Sequence, residues 1–354
     1  MPSLVAISKI DFPYKTDQHE VKQCARKLFA PSFPAIEKMM HIFDNTEIKT
    51  RNFCKPLSYY SEVNTFQEQN KEYIRIVLEY SVKAIEKCIA DAGISKEKIT
   101  DILFLSTTGL ATPSLDALII NKMRLNQNIC RYPVFGLGCA AGVAGYAKAS
   151  ILAKGNPDAL VLVVAAELCS LTFLRNDFSK SNFVGSSLFA DGISACIISG
   201  DNHINSTGTE INFLGSQSKL YFDTEDVMGW EFLDKGFKVL FSQDIPEIIS
   251  GNIQKDVITF LEKHQLTIAD ISNFIFHPGG KKVLNDYEEA LSIDVNDLKN
   301  TIDIMTEYGN MSSPTVLYVM EKFFTQGFKN GYGLMLSMGP GFSSEMVLLK
   351  MSKR

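Results

Sequence analysis

Two segments of this chain, 172 residues apart, share one plan. Ile99-Thr100-Asp101-Ile102-Leu103-Phe104 and Ile271-Ser272-Asn273-Phe274-Ile275-Phe276 each place two polar residues after an isoleucine and then run apolar into a turn. The parallel continues in kind. Thr107-Thr108-Gly109 closes the first strand and His277-Pro278-Gly279-Gly280 the second; a helix follows each, and later Gly309-Asn310 stands where Gly138-Cys139 stood. A diverged internal duplication fits this pattern. It restricts the fold to two similar α/β halves, packed back to back in layers α-β-α-β-α with strand-end turns converging on one site. The Gly/Asn/Ser-rich stretch 199–209 marks the boundary, giving halves 1–205 and 206–354.

The apolar run 159–166 reads as a strand covered on both faces, with 194–199 as its neighbour. Residues 20–29 and 33–43 read as short helices. Residues 70–92 form a longer one, with an apolar stripe at 73, 76, 77, 80 and 84 ended by Gly93. Strands are expected at 102–105, 134–137, 332–338 and 345–351, and helices at 115–123, 143–154 and 311–324.

Composition narrows the function. With 354 residues, 45% of them hydrophobic, the chain can bury a large core. A net charge of -5 and the lack of a long Lys/Arg run argue against nucleic acid as a partner. The N-terminal residues lack a secretory pattern and no apolar stretch is long enough to span a bilayer, so no membrane partner and a cytoplasmic location are expected. The seven cysteines are scattered without Cys-x-x-Cys pairs or companion histidines, which predicts neither disulfides nor a metal.

Cys139 lies in Phe-Gly-Leu-Gly-Cys-Ala-Ala-Gly (135–142), whose small residues tolerate strained dihedrals and close approach. A helix behind it would set the thiol at the positive end of a dipole, where thiolate is favoured, so an activated sulfur nucleophile is expected. His277 ends an apolar strand and Asn310 sits in Gly-Asn-Met-Ser-Ser. Cysteine, histidine and asparagine in glycine-rich turns are the components of an acyl-transfer site. The plain alternatives are a buried free cysteine, a satisfied core histidine, and an asparagine capping the 311–324 helix.

These motifs, with Gly-Leu-Ala-Thr-Pro-Ser-Leu-Asp (109–116), Glu-Leu-Cys-Ser-Leu-Thr-Phe (167–173) and Leu-Phe-Ala-Asp-Gly (188–192), occur in an order that resembles the type III polyketide synthases. This chalcone synthase-like group belongs to the thiolase-fold condensing enzymes, and the resemblance spans nearly the whole chain. It implies an acyltransferase that extends an acyl-CoA starter with malonyl-CoA and cyclises the product. No cofactor is implied beyond coenzyme A thioesters as substrates. Cys139 would carry the acyl group, with His277 aiding its ionisation; His277 and Asn310 would then hold the enolate formed as carbon dioxide leaves. The resemblance makes Phe189 an apolar wall beside the sulfur and Thr172, Gly185, Val239, Gly279 and Ser312 substrate-binding residues. It sets Lys49 and Arg51 near the phosphates of coenzyme A, and makes Thr112 a residue reaching across a homodimer interface.

Two departures bear on product choice. The alignment through Gln243-Asp244-Ile245-Pro246 puts Val239 where plant chalcone synthases have a second gating phenylalanine, and Ser337-Met338-Gly339-Pro340-Gly341 retains only the latter half of the family's Gly-Phe-Gly-Pro-Gly loop. A β-ketoacyl synthase III is the nearest rival, but its histidine turn usually reads His-Gln-Ala-Asn. A papain-like hydrolase does not suit the duplicated buried strands. A non-catalytic binding subunit with this fold would show no unusually reactive cysteine.

Overall fold

The computed structural model describes residues 1–203, 208–242 and 245–353. In chain order the elements are β1 (Ser3–Lys9), β2 (Tyr14–Asp17), α1 (Gln18–Phe29), α2 (His41–Asp44), β3 (Thr50–Phe53), α3 (Phe66–Ala92), β4 (Asp101–Ser106), α4 (Leu115–Met123) and β5 (Cys130–Phe135). Then come α5 (Ala141–Gly155), β6 (Leu160–Leu168), α6 (Lys180–Leu188), β7 (Asp191–Ser199), β8 (Thr209–Leu220), β9 (Met228–Leu233) and β10 (Gly236–Phe241). The chain ends with α7 (Ile245–Glu262), β11 (Ile271–Phe276), α8 (Lys281–Leu291), α9 (Lys299–Tyr308), α10 (Ser313–Gln326), β12 (Gly331–Gly339) and β13 (Ser343–Lys353).

The duplicated strands are β4 and β11. β4 pairs in parallel with β5 and β6, and β11 in parallel with β12. The strand order is β11-β12-β13-β8-β1-β7-β6-β4-β5, so the halves share one continuous array. They meet at β1 and β8 through a single paired position, Ser3 with Asn212. Period-two alternation builds the layers. On β6, Val161, Val163 and Ala165 enter a central core with α5 and α10, while Leu160, Leu162, Val164 and Ala166 face α3 and α4. On β13, Val347, Leu349 and Met351 face the same central core and Met346 and Leu348 face α7 and α8. The layering is thus α-β-α-β-α.

Local signals explain the element ends. Thr65 and Glu68 form a capping box at the start of α3, and Gly93 closes it at φ 63. The expected 33–43 helix is instead a 3₁₀ turn, Pro34–Met39, followed by α2. The strand expected at 134–137 begins and ends earlier, because Gly136 turns the chain at φ 95. The boundary placed between 205 and 206 lies outside the described residues, as do Gln243 and Asp244 of the alignment that located Val239.

Candidate active site

Cys139 sits in the 3₁₀ turn Gly138–Ala140 that leads directly into α5. Gly138 is required there. Its φ is +46, and a Cβ would meet Pro340 Cδ at 2.7 Å. Its amide donates to Thr107 Oγ1 at 3.1 Å, tying the cysteine turn to the end of β4.

Hydrogen bonds link the distant turns. The Cys139 thiol donates to Ser312 Oγ at 3.5 Å, the Ser312 amide donates to Asn310 Oδ1 at 2.8 Å, and Asn310 Nδ2 donates to the Gly279 carbonyl at 2.9 Å. Gly279 lies two residues beyond His277, whose own amide donates to Leu336 O at 2.8 Å. Ser312 adopts φ 59, rare for a residue with a Cβ, and so faces the sulfur. Asn310 does not cap α10; Ser312 is the cap position, without a side-chain bond. Asn310 instead pairs with Phe189 as an isolated parallel bridge.

Burial works against the expected thiolate. Burial pushes the Cys139 thiol up to about 12, with the bond to Ser312 opposing it and the Glu167 charge adding to it. Desolvation thus acts against the helix end at this sulfur and favours the thiol form. Burial also lowers His277 to about 4, which favours a neutral imidazole, and its two ring nitrogens have no hydrogen-bond partner among the described residues. Glu167, raised to about 7 by burial, accepts bonds from the Thr107 amide, Thr108 Oγ1 and Ser313 Oγ, holding the β4 turn against α10.

Cys139 lines a cavity of about 360 Å³ with Phe189, Val239, Ser312, Trp230 and Phe241. A larger, mainly apolar cavity of about 680 Å³, partly open to solvent, adjoins it and is lined by Thr172, Gly185, Val239, Phe189 and Arg51. Cys169, Phe189, Trp230 and Val239 line both, so the two spaces share a wall around Phe189. Gly279 lines neither; it contributes the carbonyl that holds Asn310.

Lys49 is exposed, but Arg51 is 1% exposed and donates from Nη1 to the carbonyls of Ser186 and Phe189 at 2.7 and 2.9 Å. The expected surface contact with phosphates does not suit Arg51, because β3 turns its side chain inward. Sequence reasoning also missed the β9–β10 hairpin. Its signal was Trp230, the chain's one tryptophan, whose ring lies 6.2 Å from that of Phe189. Among the described residues no cluster of His, Cys, Asp and Glu could hold a metal, all seven cysteines are unpaired, and no helix is long and apolar enough to cross a membrane.

Fold and site together define a thiolase-fold condensing enzyme. The chain belongs to the chalcone and stilbene synthases, the type III polyketide synthases, matching the family's N-terminal domain over residues 30–202 and its C-terminal domain over 213–352. It is an acyltransferase of that family. The "Putative chalcone synthase" of Bacillus subtilis (strain 168) is 40% identical over 350 residues, covering 96% of each chain. A 1,3,6,8-tetrahydroxynaphthalene synthase of Streptomyces peucetius subsp. caesius is 33% identical over 305 residues, 86% of this chain and 81% of that one. The crystal structure of 1,3,6,8-tetrahydroxynaphthalene synthase from Streptomyces coelicolor A3(2) superposes with a TM-score of 0.93 at 27% identity, covering 99% and 100% of the two chains.

Proposed function

We propose that the protein condenses malonyl-CoA decarboxylatively onto an acyl-CoA starter held on Cys139, repeats the extension, and cyclises the chain to a pyrone, resorcinol or phloroglucinol-type product. The observation that carries this reading is the run of hydrogen bonds from Cys139 through Ser312 and Asn310 to the His277 turn.

Loading begins with a neutral thiol. As the sulfur attacks the starter carbonyl, its proton passes to the neutral imidazole of His277, and coenzyme A leaves with a proton. Malonyl-CoA then loses carbon dioxide, and the electron pair of the broken C–C bond becomes an enolate. Asn310 Nδ2 bears two hydrogens and gives one to Gly279, which leaves the other for the enolate oxygen; His277 supplies the second donor. The enolate carbon attacks the Cys139 thioester, and the C–S bond breaks to free the sulfur. Phe189, Thr172, Gly185, Val239 and Ser312 shape the space for the chain. Lys49 serves the coenzyme A phosphates, and the enzyme works in the cytoplasm as a homodimer with Thr112 at the interface.

Mass spectrometry tests this directly. Incubation with acyl-CoA should add the acyl mass to Cys139, and malonyl-CoA should then yield multiply extended, cyclised products. Single-extension products that require acyl carrier protein would instead point to a β-ketoacyl synthase III, and the lack of any Cys139 adduct would point to a binding subunit.

A further inference from the structure

Arg51 has no part in the chemistry above, yet both Phe189 and Asn310 are built around it. It lies on β3, which pairs only with β2 and stands outside the large sheet. Its Nη1 donates to the carbonyls of Ser186 and Phe189, which bracket the C-terminal end of α6. Those carbonyls point out of a helix end that offers them no intrahelical donor, and a cation is favoured at that pole.

The segment thus held is the one Asn310 docks on. The Asn310 amide donates to Leu188 O at 2.9 Å, and Ala190 N donates to Asn310 O at 2.8 Å. Gly309 rests on Arg51 itself: a Cβ there would meet Arg51 Cγ at 3.0 Å and Leu188 O at 3.1 Å. Lys49, just before β3, and Thr50, its first residue, grip the other side of the same turn. The Lys49 amide donates to Thr306 O at 2.8 Å, and Thr50 Oγ1 donates to Glu307 O at 2.6 Å. A buried guanidinium is costly to desolvate, and packing alone could be had from an apolar side chain, so what the charge adds is a fixed geometry.

We propose that Arg51 is a positioning residue, whose bonds to the Ser186 and Phe189 carbonyls set the Phe189 wall and the Asn310 amide in register beside Cys139. The inference rests on the role given to Asn310 above. Acylation of Cys139 does not use that amide, whereas decarboxylation does, so the two steps should separate when Arg51 is changed.

The test compares unsubstituted protein with Arg51→Met and Arg51→Lys, measuring Cys139 acylation in a single turnover, carbon dioxide release from malonyl-CoA, and thermal melting. In Arg51→Met, acylation should persist while carbon dioxide release falls on the order of a hundredfold, the scale of a misplaced catalytic group. Arg51→Lys, still able to donate to a carbonyl, should recover part of the loss. If Arg51→Met does not fold, Arg51→Lys carries the comparison. Equal carbon dioxide release by all folded proteins overturns the inference, as does a parallel fall of both steps, or failure of both variants to fold, which would make Arg51 a residue of stability alone. Absence of a Cys139 adduct in the unsubstituted protein overturns the functional reading as well, so the two failures are distinguishable.

Discussion

At the residue scale the site is defined by what burial does to two groups. Asn310 contributes an amide that does not titrate, and Asn310→Ala should lower kcat by about 10²–10³ while leaving acylation of Cys139 intact, measured as product formation against adduct mass. His277 carries a pH signature. Its folded value, about 4, lies below the ordinary 6.5, so the folded state binds fewer protons than the unfolded chain between these limits. The stability it supports is complete above pH 6.5 and is lost as pH falls toward 4, a difference of roughly 3 kcal/mol. Urea unfolding at pH 7.5 and 5.0 should show the decline, and His277→Gln should flatten it in that window. Cys139, His277 and Asn310 stood out as candidates because their glycine-rich flanks serve no ordinary core purpose. The upward push of burial on the thiol was not legible, since helix-end electrostatics can be read locally, whereas desolvation depends on chain that only the fold brings in.

At the scale of elements, α5 and α10 bring the two halves together. Gly142 lets them approach: a Cβ there would collide with Ser313 O and Val316 Cγ1. Because Ser313 opens the helix next to Ser312, the strain would be felt at the site. Gly142→Ala should therefore destabilise the protein by about 1–3 kcal/mol and slow acylation of Cys139 as well, read by thermal melting and by adduct formation. The duplicated strands and the helix behind the cysteine could be read from apolar periodicity, and β6 from its unbroken apolar run, which is buried throughout. The β2–β3 ribbon, α6 and the β9–β10 hairpin could not. β2 is exposed except at Thr16 while β3 is buried from Arg51 to Phe53, and α6 and the hairpin mix buried and exposed residues beside the cavity, so no period of two or 3.6 dominates. Arg51 shows the consequence: two cations near a short strand read as a surface patch until β3 is seen to fold one of them beneath α6.

At the scale of the whole molecule, the duplication predicts two equivalent halves, yet their outer edges differ. β11 ends one side of the strand array and β5 the other. β5 pairs with β4 along one edge only and is exposed over most of its length, presenting Tyr132 and Phe135, the latter 49% exposed. Unpaired, partly aromatic edge strands invite association unless something covers them. Nearby, Thr112 is exposed at the start of the segment leading into α4. Because Phe135 immediately precedes the turn that holds Cys139, a second copy seated on this edge would also brace the nucleophile. Phe135→Glu sets a charge on that edge without touching the core. If the proposed homodimer forms on this edge, sedimentation should shift the variant from dimer toward monomer, with Cys139 acylation falling as the dimer dissociates and recovering at higher protein concentration. A monomeric unsubstituted protein with full activity, or a variant that stays dimeric, would show that this edge is not where the copies meet.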